Sequence, residues 1–213
     1  GNRLSIAGKV VVDATGLSAL LANKMNLKQD DPDLRKIAIW SYFENAERET
    51  GPHGGATIIL HTEKKDSWFW FIPLRNNITS IGVVGDREYM LAGRGKPEEI
   101  FAEELRLCSA LQGRLGQATA TEKYRVAREF SYTTSQQSGP GWVLVGDAFG
   151  FIDPIYSSGV YFALKSGLLA SDAIVAGLQA DDISGEQLGN WIAGYGEGTQ
   201  WIRKLVAAYY VNP

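Results

Sequence analysis

The chain has 213 residues, 45% hydrophobic and 11% aromatic, enough for one large domain or two small ones. A net charge of -3 and an ordinary 21% of charged residues point away from nucleic acid and from an anionic membrane surface. The single cysteine, Cys108, excludes an internal disulfide and a cysteine metal cluster.

Residues 1–8 read as a small strand and turn. Lys9-Val-Val-Val-Asp13 then sets three valines before a polar stop, the pattern of a strand buried on both faces in a parallel sheet. Residues 17–24 suit a short helix. Over 36–45, Ile37, Ile39 and Phe43 alternate with Ala38, Trp40 and Tyr42, which predicts a strand. Strands at 56–62, 67–74 and 78–84, joined by the polar turns Glu63-Lys-Lys-Asp66 and Arg75-Asn-Asn77, predict antiparallel hairpins or a meander. Pro97, Glu98 and Glu99 open a helix with the apolar stripe Phe101, Leu105, Cys108 and Leu111. On that stripe Cys108 is expected to be a buried, inert thiol. A strand over 124–133 is expected to join the same sheet.

The most informative stretch is 142–164. An apolar run ends in Gly146-Asp147, and a loop carrying Gly150, Asp153, Pro154, Ser157 and Ser158 follows. An amphipathic helix then opens at Gly159. A carboxylate at a strand tip, with a helix N-terminus close behind it in sequence, is a cofactor-site geometry. The carboxylate accepts hydrogen bonds from sugar-like hydroxyls, and the free N–H groups favour negative charge. The helix is expected over 158–178, and Lys165, Ser166, Ser171 and Asp172 argue against its spanning a membrane. No secretory leader opens the sequence, so a soluble cytoplasmic protein is expected. Ser184 and Gln187 match a capping box, followed by the apolar face Leu188, Trp191, Ile192 and Tyr195. Gly194, Gly196 and Gly198 predict a bend or break before a last helix over 201–210.

The stretch 142–164 resembles the Gly-Asp motif of FAD-dependent monooxygenases and halogenases of the p-hydroxybenzoate hydroxylase-like superfamily. The resemblance implies FAD as cofactor, with Asp147 on the ribityl chain and the helix start facing the N1/C2=O edge of the isoalloxazine. It implies Gly146, Asp147, Pro154, Ser158, Gly159 and Val160 as cofactor-binding residues. Asp13-Ala14-Thr15-Gly16 is similar to the segment that returns the chain to the FAD domain in that superfamily. Trp68-Phe69-Trp70-Phe71-Ile72-Pro73 resembles the Trp-x-Trp-x-Ile-Pro signature of its flavin-dependent halogenase branch, carried by Trp68, Trp70, Ile72 and Pro73. Period-two geometry sets Trp68, Trp70 and Ile72 on one face and Phe69 and Phe71 on the other, which predicts a central strand. A heavy aromatic core strand without a catalytic role is the plain alternative.

The branch resemblance implies halogenation of a small aromatic substrate through a flavin C4a-hydroperoxide. A halide ion would be held by the backbone amides of Ser158 and Gly159, and a flavin reductase partner would supply reduced FAD. Two departures shape the reading. The lysine that passes the halogen in the family lies in an N-terminal region, and no lysine here matches it, so the catalytic residue is unknown. Tyr156 stands where tryptophan halogenases carry a glutamate, which favours a phenol or pyrrole substrate, or hydroxylation.

No Gly-x-Gly-x-x-Gly turn opens the chain, so residue 1 reads as the middle of a larger protein. The expected fold class is α+β. Residues 1–34 and 140–180 form a partial FAD-binding domain, 35–139 an inserted, mostly antiparallel sheet domain, and 181–213 a C-terminal helical segment. The competing enzyme readings are a flavin monooxygenase or hydroxylase and a geranylgeranyl-reductase-like enzyme. From another class comes an isolated substrate-domain module, inactive without its N-terminal half. His53 and His61 lack metal-site spacing, so no metal is expected. Asp153 reads equally as a ligand contact or as an Asp-Pro turn initiator. Ser157 and Ser158 lack the surroundings of a nucleophile elbow, and Asp181 and Asp182 read as a solvated loop.

Overall fold

The computed structural model describes residues 5–128 and 131–211. The strand expected at 1–8 therefore falls partly outside the described residues, as do positions 129–130 of the strand expected over 124–133. The chain divides into two compact units, one of Gly1–Pro32 with Phe130–Pro213 and the other of Asp33–Glu129. The first unit opens with β1 (Val11–Asp13), α1 (Leu20–Lys24) and β2 (Lys28–Asp30). The second runs through β3 (Lys36–Glu44), β4 (Ile58–His61), β5 (Ser67–Pro73), β6 (Ile78–Asp86), α2 (Arg87–Leu91), α3 (Pro97–Arg106), α4 (Ser109–Arg114), β7 (Thr119–Ala120) and β8 (Arg125–Arg128). The first unit resumes with β9 (Tyr132–Thr134), β10 (Ser138–Gly139), β11 (Trp142–Leu144), α5 (Gly159–Ala180), α6 (Gly185–Leu188) and α7 (Ile192–Val211). Helices and largely antiparallel sheets in separate layers make this an α+β fold.

In the second unit the sheet order is β4-β5-β6-β3-β7, with β8 also paired to β3, and every pairing is antiparallel. Alternation sorts the side chains. Ile37, Ile39 and Phe43 of β3, Phe69 and Phe71 of β5, and Ile81 and Val83 of β6 bury in one cluster with Ile100, Phe101 and Leu111. Truncating one such side chain costs about 2–5 kcal/mol. β5 lies between β4 and β6, the central position expected of an aromatic strand. On its other face Trp70 tilts against Trp40 and Trp68, with ring centroids 6.1 and 6.4 Å away. Trp70 Nε1 donates to Ser80 Oγ at 3.1 Å, and the ring lies across Gly82.

The helix expected from Pro97 through Leu111 is two helices. The Leu107 carbonyl leaves the helical ladder to accept the Glu63 N–H at 2.9 Å, and Cys108 turns the chain into α4. Cys108 is buried, and burial pushes its thiol pKa up. Pattern reading missed Glu104. It is fully buried on α3 and accepts from Ser67 Oγ at 2.5 Å and Tyr89 Oη at 3.0 Å, with Arg94 Nη1 2.7 Å away. Buried charge persists only when paired and hydrogen-bonded in this way.

In the first unit β1 pairs in parallel with β11, and β10 pairs antiparallel with it. The parallel pairing matches expectation, but β1 is an edge strand and is not buried on both faces: Val11 and Val12 are 52% and 45% exposed. Segment 124–133 is not one strand, since β8 pairs with β3 while β9 pairs with β2. α5 is long and apolar enough to cross a membrane by length and composition. Here Ser166, Ala170, Ala173 and Gly177 bury along one of its faces, with Ala170 and Ala173 packed with Val143, Val145 and Trp191. Ser184 Oγ accepts the Gln187 N–H at 3.2 Å at the start of the short α6, half of the expected capping box; the Gln187 side chain donates instead to the Ala173 carbonyl at 2.9 Å. α7 runs unbroken through Gly194, Gly196 and Gly198, against the expected break. Tyr195 packs edge-on against Trp191 at 5.3 Å, Phe149 at 5.1 Å and Phe162 at 5.8 Å. Such contacts outweigh a glycine penalty of about 1 kcal/mol per residue.

A Cβ on Gly82 would come within 2.2 Å of the Trp70 ring. Gly82→Ala is therefore expected to destabilise by about 1–3 kcal/mol and to lower Tm by roughly 2–10 °C. In calorimetry, Trp70→Leu combined with Gly82→Ala should cost less than the sum of the two changes; additivity would refute the contact.

Candidate functional site at the tip of β11

Parallel pairing carries the chain to the site. The Val145 N–H donates to the Asp13 carbonyl at 3.0 Å, one residue beyond the end of β11. Gly146 follows with φ +57°, a left-handed conformation, and a Cβ there would meet that of Ala163 at 3.3 Å. Its N–H donates to Ser166 Oγ at 2.8 Å. The turn that presents Asp147 is thus seated directly on α5.

The loop after Asp147 has its carbonyls taken by side chains from elsewhere in the unit. Tyr132 Oη donates to the Asp147 carbonyl. Thr134 Oγ1 donates to the Phe149 carbonyl at 2.6 Å. Arg203 Nη2 donates to the Tyr132 and Phe151 carbonyls at 2.7 and 3.0 Å, locking the bridge between those residues. Burial pushes the Arg203 pKa down. Burial, then the neighbouring Asp147, raises the Tyr132 phenol to about 12, so it stays a neutral donor at physiological pH.

The Asp147 carboxylate takes no part in these bonds. Among the described residues nothing hydrogen-bonds it, and burial raises its pKa. Its neighbours in sequence motifs differ. Asp13 accepts from Thr15 N at 3.0 Å, Thr15 Oγ1 at 2.6 Å and Leu21 N at 2.7 Å. Asp153 is fully buried and accepts from Ile155 N at 3.0 Å and Tyr210 Oη at 2.9 Å. Asp153 therefore acts as a turn initiator.

Gly146, Asp147 and Gly159 line one cavity of 450 Å³. Phe149, Phe162, Ile192 and Tyr195 supply apolar and aromatic wall, and Thr199, Gln200 and Arg203 supply polar wall. Ser158 caps α5, its carbonyl accepting the Phe162 N–H at 3.1 Å. The N–H groups of Gly159, Val160 and Tyr161 thus precede the first helical hydrogen bond. Ser158 Oγ is buried without a hydrogen-bond partner among the described residues. The Val160 side chain is exposed, Pro154 sits in the turn before the helix, and Tyr156 Oη reaches the Leu205 carbonyl at 3.4 Å.

Trp68, Trp70, Ile72 and Pro73 belong to the second unit and are not among the residues lining this cavity. Burial lowers the His61 pKa. Among the described residues no group of three or more His, Cys, Asp or Glu is placed to hold a metal ion. Pattern reading missed the cavity residues of β9 and α7. Their signal was present: Ile192, Tyr195, Gly196, Thr199, Gln200 and Arg203 follow helical spacing, so the apolar face that begins α7 turns polar along the same side.

The sequence pattern of the tryptophan halogenase family matches residues 2–212. The chain belongs to that family. It is 30% identical over 211 residues to the 1H-pyrrole-2-carbonyl-(peptidyl-carrier protein) chlorinase of Pseudomonas fluorescens, covering 97% of this chain and 47% of that protein. Among solved structures it matches a triple mutant of the flavin-dependent brominase Bmp2 with TM-score 0.90 at 28% identity, over 98% of this chain and 53% of that one. It matches the myxobacterial chondrochloren halogenase CndH with TM-score 0.84 at 28% identity, over 95% and 47% of the two chains. The chain thus spans about half the length of these family members.

The raised pKa of Asp147 gives a test of its unpaired state. Above that pKa the folded chain holds a carboxylate that the unfolded chain solvates better, so the charge opposes folding; well below it the acid is neutral in both states. Asp147→Asn should raise Tm at about pH 7, and the gain should vanish near about pH 3. A lower Tm for the variant at neutral pH would show a paired, stabilising carboxylate instead.

Proposed function

We propose that this chain is part of a FAD-dependent halogenase that acts on a small aromatic substrate, a pyrrole or a phenol. The observation that carries the reading is the Asp147 carboxylate, held in a cavity wall with its acceptors unspent beside Gly146 and Gly159. FAD fits this set. An unpaired carboxylate takes the hydroxyls of a ribityl chain. Gly146 takes the left-handed turn that presents Asp147, and the orphan amides of Gly159 and Val160 suit an anionic pyrimidine edge or a halide. The buried, unpartnered Ser158 Oγ adds a polar group at the same helix start.

Bound reduced FAD would supply the oxygen-activating redox chemistry. The protein's part is placement. Asp147 would orient the flavin through its sugar-alcohol chain, and the amides of Ser158 and Gly159 would hold the halide. Phe149, Phe162 and Tyr195 would exclude water from the cavity, which strengthens charge interactions inside it. The strand bearing Trp68, Trp70, Ile72 and Pro73 would serve the substrate side. A pyrrole substrate is supported by the chlorinase relative, whose name specifies a pyrrole acyl group on a carrier protein. Tyr156 in place of a glutamate agrees with a substrate other than free tryptophan. The enzyme would work in the cytoplasm with a flavin reductase.

In the full-length protein, incubation with reduced FAD, oxygen, bromide or chloride and a pyrrole or phenol probe should yield halogenated product by mass spectrometry. Hydroxylated product without halide dependence would favour a monooxygenase. Asp147→Ala removes hydrogen bonds to a charged group worth about 1.5–3 kcal/mol, so flavin affinity should fall roughly 10- to 100-fold. Fluorescence titration showing unchanged affinity would overturn the assignment of Asp147.

A further inference from the structure

We infer that Tyr210, acting through Asp153, is a positioning residue for the amides at the start of α5; this rests on the cofactor and halide reading above. Tyr210 is not among the residues lining the cavity. Its hydroxyl donates to Asp153 Oδ2 at 2.9 Å, while Asp153 Oδ1 accepts the Ile155 N–H at 3.0 Å. One fully buried carboxylate therefore joins the last turns of α7 to the first residues of the loop that feeds α5.

That loop needs holding. Pro154–Tyr156 forms a single tight turn, and Ser157 follows with φ +51°. A left-handed non-glycine residue is disfavoured and persists only where its surroundings fix it. A second tether reaches the same turn, since Tyr156 Oη donates to the Leu205 carbonyl at 3.4 Å. Both tethers end on α7, 49 and 57 residues along the chain from their loop partners. The Ser158 and Gly159 amides lie one and two residues after the strained Ser157, so the direction of their N–H bonds depends on that residue keeping its conformation. Loss of the Tyr210 hydroxyl frees the loop at its entry and lets Ser157 relax toward right-handed backbone. The amides then lose their fixed aim without any change in the groups that touch ligand.

The test is Tyr210→Phe in the full-length protein, with two readouts. Hydrogen exchange measured by mass spectrometry should speed up about tenfold at 155–161, the scale of one charge-assisted hydrogen bond, with exchange elsewhere unchanged. In turnover assays the halide KM should rise about five- to tenfold with kcat within twofold, because the lost aim weakens halide binding. Asp153→Asn, which keeps an acceptor oxygen for one partner only, should give the same pattern or a stronger one. Unchanged exchange at 155–161, a uniform rise across α7, or a fall in kcat at constant KM would each overturn the proposal. Halide-independent turnover by the unmodified protein would instead overturn the functional reading, and the exchange measurement would still decide whether Tyr210 holds the loop.

Discussion

The site depends on a division between spent and unspent oxygens. Every strand end needs donors for its last carbonyls, and the usual source is water. After β11 the partners are Tyr132, Thr134 and Arg203, which take the carbonyls of the loop one after another. This leaves the Asp147 side chain with nothing to do for the fold, and burial keeps it short of solvent. Asp13 and Asp153 show the opposite outcome, each consumed by amides and hydroxyls around it. A carboxylate that the protein desolvates but does not pair stores a cost that a hydroxyl-bearing ligand can offset.

Much of this was legible in the sequence, for specific reasons. Gly146-Asp147 followed by a Gly159 helix start is a local pattern, and local geometry is what a sequence encodes most directly. The Trp68 strand was legible as central because both of its faces are apolar. Alternation placed Ile37, Ile39 and Phe43 on the side that is buried. The failures have one cause, which is tertiary context. β1 has the composition of an interior strand but lies at an edge. Gly194, Gly196 and Gly198 look like helix breakers, yet Trp191, Tyr195 and Phe149 hold the turn around them. Glu104 carries no sign in the pattern that Ser67, Tyr89 and Arg94 will gather around it.

The site's hidden half is likewise a matter of long-range contact. β9 and α7 contribute nothing that reads as a motif, yet they fix the loop carbonyls and supply the polar wall of the cavity. The motif names the candidate ligand groups. The packing of distant segments decides where those groups point and whether they are free to act.

Gly196 faces the cavity from the second turn of α7 with open space where a side chain would stand. Each carbon added at that position would subtract from the room available to a guest, while the Gly-Asp turn stayed intact. The cavity's room could thus be retuned by editing a helix that lies outside the Gly146-Asp147 motif.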